Sequence, residues 1–177
     1  MHLLLNALSE TESRSRVGMA DPRGSPVLVV GVGNEFRGDD AVGLYVVRKL
    51  REKLAHEAVL VEATGEGASL MECWKGFDAA IIVDAVQSAG QPGRKHRFEA
   101  HESALPAKFF QTSTHSFGVL QAIEVARALN QLPRWLTVCG IEGKCFDEGA
   151  WLSAPVELAA QQLVESLTIE ILNTNSR

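Results

Sequence analysis

Four apolar residues, Val27-Leu28-Val29-Val30, run straight into a glycine-rich loop and then an amphipathic helix. No other stretch limits the possible folds as tightly. An unbroken, largely β-branched run predicts a strand buried on both faces of a parallel sheet. Downstream, Val42, Val46, Leu50 and Leu54 recur every four residues, and Val47 widens the stripe. Arg48, Lys49, Arg51 and Lys53 fill the other face and the C-terminal end, as a surface helix requires. The intervening loop holds Gly31, Gly33, Gly38 and the pair Asp39-Asp40. Strand, loop and helix in that order put the loop at the carboxyl edge of a sheet, where open α/β folds place their ligands.

A dinucleotide site does not fit this loop. A G-x-G-x-x-G fingerprint starting at Gly31 needs a third glycine where Phe36 stands. Two carboxylates also occupy the place where a helix N-terminus would meet a pyrophosphate. The loop is better suited to a cation. One of the two aspartates has an ordinary explanation as the helix N-cap, and the second then needs another.

With 177 residues, 46% of them hydrophobic, the chain can bury one good core and is expected to form a single domain over residues 26–177. A net charge of -5 and the lack of any basic run argue against nucleic acid. Residues 1–25 contain a short apolar run without a basic flank, followed by a polar, serine- and charge-rich stretch. They read as a disordered extension, neither signal peptide nor membrane anchor. Cys73, Cys139 and Cys145 form no C-x-x-C motif and leave an odd count, which suggests reduced thiols in a cytoplasmic protein. The gap between Cys139 and Cys145 matches no usual metal spacing.

Further strands are expected at residues 58–62, 79–83 and 135–141, with an edge strand at 94–99. Helices are expected around Leu70, Met71 and Trp74, from Val119 to beyond Ala126, and after Pro155. The run 79–83 stops at Asp84, and a carboxylate ending a buried strand is costly unless exposed, hydrogen-bonded or paired with a cation. His115 stands before the third helix, with Ser113 or Thr114 a natural cap. The result is an α/β chain, read as a three-layer sandwich, whose notable polar residues, Asp40, Glu62, Asp84 and His115, fall on loops after strands or before helices. Two carboxylates and an imidazole with open positions suit zinc, nickel or manganese.

The motifs Gly31-Val32-Gly33-Asn34, Gly38-Asp39-Asp40, Ile81-Ile82-Val83-Asp84-Ala85, Ser113-Thr114-His115 with Gly118, and Gly140-Ile141-Glu142 occur in a characteristic order and spacing. In these the chain resembles the hydrogenase maturation endopeptidases, from about Val27 to Leu172. The resemblance implies an α/β/α sandwich around a mostly parallel sheet of about five strands. It also implies an enzyme that trims the C-terminal extension of a nickel-iron hydrogenase large-subunit precursor once nickel is inserted. In that family the acids matching Asp40 and Asp84 and the histidine matching His115 form the metal site, which reads the nickel the substrate carries. The same donors would accept zinc. An acid matching Glu62 is linked to cleavage. Where the family has Asp-Gly-Gly-Thr this chain has Glu62-Ala63-Thr64-Gly65, which leaves a second expectation open, a nickel-checking protein that binds the precursor without cutting it.

Overall fold

The computed structural model describes residues 26–54, 56–109 and 117–175. Five strands form one sheet: β1 (Val27–Val32), β2 (Ala58–Ala63), β3 (Ala79–Val86), β4 (Lys95–Glu99) and β5 (Trp135–Glu142), in the order β2-β1-β3-β5-β4. All pairings are parallel except β4 with β5, so the charged β4 closes one edge as an antiparallel strand. Helices α1 (Val42–Arg51), α2 (Gly67–Trp74), α3 (Val119–Ala128) and α4 (Ala154–Asn175) cover the two faces.

Strand alternation divides the core. Val27 and Val29 of β1 and Ile81, Val83 and Ala85 of β3 pack with α1 and α4. Leu28, Val30 and Val32, with Ala80, Ile82 and Val86, pack with α2 and α3. This is the expected α/β/α sandwich. Two strands differ from expectation. β2 is an edge strand and only half buried, with Val59 36% exposed, because among the described residues no strand lies beyond it. β3 continues two residues past Asp84, since its pairing with β5 runs on through Val86 and Glu142.

Gly31 lies inside β1, not in the loop. A Cβ on Gly31 would sit 2.1 Å from the carbonyl oxygen of Gly43 in α1. One on Gly43 would sit 2.2 Å from the Val32 oxygen and 2.4 Å from the Val83 oxygen. The two glycines let the first turn of α1 rest directly on the backbone of β1 and β3. That contact fixes the loop before α1 against the carboxyl ends of the central strands. Phe109 packs its ring on His96 and Phe98, at centroid distances of 4.5 and 5.3 Å, so the irregular segment after β4 is closed onto the body. No helix among the described residues is long and apolar enough to cross a membrane.

Candidate active site

The loop after β1 turns through a 3-10 segment, Gly38–Ala41, which carries Asp39 and Asp40 in its first turn. Neither carboxylate caps α1; its N-cap is Ala41, with no side-chain bond. The two acids have different duties. Asp39 is fully buried. Its Oδ2 accepts from the Lys144 N–H at 2.7 Å, the Cys145 N–H at 2.9 Å and the Ser153 hydroxyl at 2.9 Å. Its Oδ1 accepts from the Ser153 N–H at 2.7 Å, and its own N–H donates to the Cys145 carbonyl at 2.8 Å. Asp39 therefore locks the loop after β1 to the loop between β5 and α4. A cap needs one donor or two, whereas this carboxylate satisfies four.

Asp40 follows Asp39 in the same turn. Alternation sends Asp84 to the α2–α3 side of β3, level with Gly140 on β5. Burial and the nearby Asp40 charge push the Asp84 carboxyl up to about 8, and the Ala85 N–H opposes them only in part. Two carboxyl groups brought together in a half-buried place, with no cation of the described residues among the influences on Asp84, are what a divalent metal would relieve. Among the described residues no group of three metal-ligating side chains forms.

His115 lies outside the described residues, as do Ser113 and Thr114. The chain is described again from Phe117, whose carbonyl accepts from the Gly67 N–H at 2.9 Å and whose side chain packs into the α2–α3 core. That is the face Asp84 looks onto. α3 is capped at Gly118, whose N–H donates to Gln121 Oε1 at 3.1 Å.

Strand order and parity keep Glu62 away from Asp84. β2 and β3 flank β1, two ladder spacings or about 10 Å apart. Glu62 also faces the opposite layer, with Leu60, toward α1. There Arg48 Nη2 lies 2.8 Å from its Oε2 and Arg51 Nη1 3.0 Å from its Oε1. Arg48 also reaches Glu35 in the loop after β1, at 3.3 Å. The hydrogen bond from Arg48, reinforced by Arg51, outweighs burial and holds the Glu62 carboxyl below its usual range. An ionised carboxylate shared by two guanidiniums is a poor proton carrier, and in this arrangement Glu62 anchors β2 to α1.

The other strand-end acid makes the opposite case to Asp84. Glu142 is buried, accepting from the Ser88 N–H at 2.6 Å, the Ser88 hydroxyl at 2.8 Å and the Gly90 N–H at 2.9 Å. Burial alone would raise its carboxyl, but these donors, with His96 at 3.4 Å, bring it below the usual range. Glu142 thus clamps the turn after β3. The three cysteines are free, and burial pushes the Cys139 thiol up to about 12, which leaves it inert as nucleophile or ligand.

Known proteins match this chain over most of its length. The family model described as hydrogenase maturation protease matches residues 44–170, well over half of the chain. The chain belongs to that family. The hydrogenase 2 maturation protease of Escherichia coli K12 is 26% identical over 145 residues, spanning 80% of this chain and 87% of the relative. Among solved structures, the hydrogenase maturating endopeptidase HybD of Escherichia coli superposes with a TM-score of 0.65 at 25% identity, covering 81% of this chain and 90% of that one. The NiFe hydrogenase maturation protease HybD of Thermococcus kodakarensis gives 0.62 at 27% identity, covering 81% and 97%. Relatives described as proteases do not favour the non-cutting alternative.

Proposed function

We propose that this member of the family removes the C-terminal extension of a nickel-iron hydrogenase large-subunit precursor after nickel insertion, using Asp40, Asp84 and His115 to read the nickel the precursor carries. The observation that carries the reading is the Asp40–Asp84 pair. It sets two carboxyl groups against one another at a sheet edge, and among the described residues no arginine or lysine offsets Asp40 at Asp84, whereas Asp39 and Glu142 hold loop backbone and Glu62 holds Arg48 and Arg51.

Oxygen donors and one imidazole, without thiolate, make a modest ligand set. Such a set holds a free ion weakly and gains most when the precursor supplies further ligands around its own metal. Zinc would fit the same donors. Recognition then depends on nickel being present in the substrate, and the protease acts only on a loaded precursor. The reading puts the reaction in the cytoplasm, in keeping with three free thiols.

The test is a substitution series, Asp40→Ala, Asp84→Ala and His115→Ala, assayed on a nickel-loaded precursor. Each is expected to lower kcat/KM by at least about 100-fold, the scale of a lost metal ligand or charge-stabilising group, with the melting temperature kept. Cleavage at the unaltered rate by any one of them removes that residue from the site.

A further inference from the structure

Trp151 is 91% exposed and Phe36 69% exposed, more than any other large apolar side chain among the described residues. They belong to the two loops that Asp39 locks together. The Gly149 N–H donates to the Phe36 carbonyl at 2.8 Å, two residues before Trp151. A Cβ on Gly38 would touch the Ala150 side chain at 3.3 Å. Both aromatics therefore stand on the carboxyl edge of the sheet, beside the loop that carries Asp40.

Neither stands on loose chain. The Asn34 side chain accepts from the Phe36 N–H at 3.0 Å, the Arg37 N–H bonds the Asn34 carbonyl at 3.2 Å, and Glu35 is tied to Arg48. On the other side, Ala150 N–H reaches the Asp147 carbonyl at 3.3 Å, and Ser153 is held twice by Asp39. Apolar rings presented to water on pre-organised turns lose little entropy when covered, which is how protein-binding hot spots are built.

Resting on the proposed function, we propose that Phe36 and Trp151 are specificity-determining contacts that dock the precursor segment leading to the scissile bond. That segment lays an apolar side chain, aliphatic or aromatic, against these rings. Phe36 stands on the same loop as Asp40 and is bonded to the loop that carries Trp151, so a polypeptide cut beside Asp40 passes this edge. The rings set where along the precursor the cut falls; the carboxylates set whether it happens.

The test is steady-state cleavage of a nickel-loaded precursor by wild type, Phe36→Ala, Trp151→Ala and Trp151→Phe. Both alanine variants should raise KM by about 10- to 30-fold, the range of an aromatic hot spot. Their kcat should stay within about threefold and their melting temperature should not move, because exposed rings contribute little to the core. Trp151→Phe should restore most of the loss. Unchanged KM in both alanine variants, with wild type cutting normally, overturns the docking role and leaves the proposed function standing. Light scattering that shows a dimer broken by Trp151→Ala, with KM unchanged, makes a second copy the occupant and also overturns it. A wild type that neither cuts nor binds the precursor overturns the proposed function and this inference together.

Discussion

Replacing Asp39 by asparagine should destabilise the protein severely although only one atom changes. Four donors converge on its two carboxylate oxygens, three on Oδ2 and one on Oδ1. An amide offers one acceptor. If its oxygen takes the Oδ2 place, its NH2 confronts the Ser153 N–H; if it takes the Oδ1 place, it confronts both the Lys144 and Cys145 N–H groups. At least one buried donor is orphaned, at a cost of about 1–3 kcal/mol. Those that stay bonded lose the assistance of a negative charge, about 1 kcal/mol each. Easier burial of a neutral group and local relaxation return part of this. The net loss should be about 2–4 kcal/mol, or a fall in melting temperature on the order of 5–15 °C for a domain of this size. Ser153→Ala removes only the hydroxyl bond and should cost about 1 kcal/mol. Thermal and urea unfolding followed by circular dichroism measure both. A fall under about 2 °C for Asp39→Asn would refute the view that this carboxylate joins the two loops.

Three more outcomes follow from the same geometry. Gly43→Ala puts a methyl within 2.4 Å of the Val32 and Val83 carbonyls, so α1 must lift from the sheet; a loss of about 3 kcal/mol or more is expected in urea unfolding. Glu142 has a lowered carboxyl in the folded state, so the stability it contributes is present above its unfolded value, near 4.5, and is lost as pH falls through the folded one. Glu142→Gln should be less stable at neutral pH and lose less stability than wild type between about pH 5 and 3, as urea unfolding at each pH would show. Glu62→Gln should loosen the contact with Arg48 and Arg51 but leave cleavage within a few-fold; abolished cleavage with precursor binding intact would make Glu62 the proton-handling group.

The sequence pattern and the structure agree most closely where hydrophobic periodicity speaks. The apolar runs at β1 and β3 and the four-residue stripe of α1 marked buried strands and a packed helix, and burial of Val29, Ile81, Val46 and Leu50 bears that out. The edge position of β2 was not legible, because Ala58-Val59-Leu60-Val61 is apolar whether or not another strand lies beyond it. Acid residues were legible as unusual but not by role. The argument that a carboxylate ending a buried strand needs a reason applies equally to Glu142, which finds its donors in Ser88 and Gly90, and to Asp84, which meets Asp40 instead. In the pair Asp39-Asp40 the sequence showed one acid too many for a cap; only the fold reveals that Asp39 binds a loop more than one hundred residues away. Glu62 was expected near the site from its place late in a strand, yet strand parity turns it to the other face. Phe36 entered the sequence argument only as a missing glycine, and its exposure beside Trp151 depends on contacts between loops distant in the chain.

The most direct test of the central claim is the mass of the precursor C-terminus after incubation with this protein, for nickel-loaded and nickel-free large subunit side by side. Loss of the extension from the loaded precursor alone is the expected result. An extension removed equally from both would contradict nickel reading by Asp40, Asp84 and His115. An extension retained on both, while another protease of the family cuts the loaded one, would contradict the assignment of this precursor as substrate.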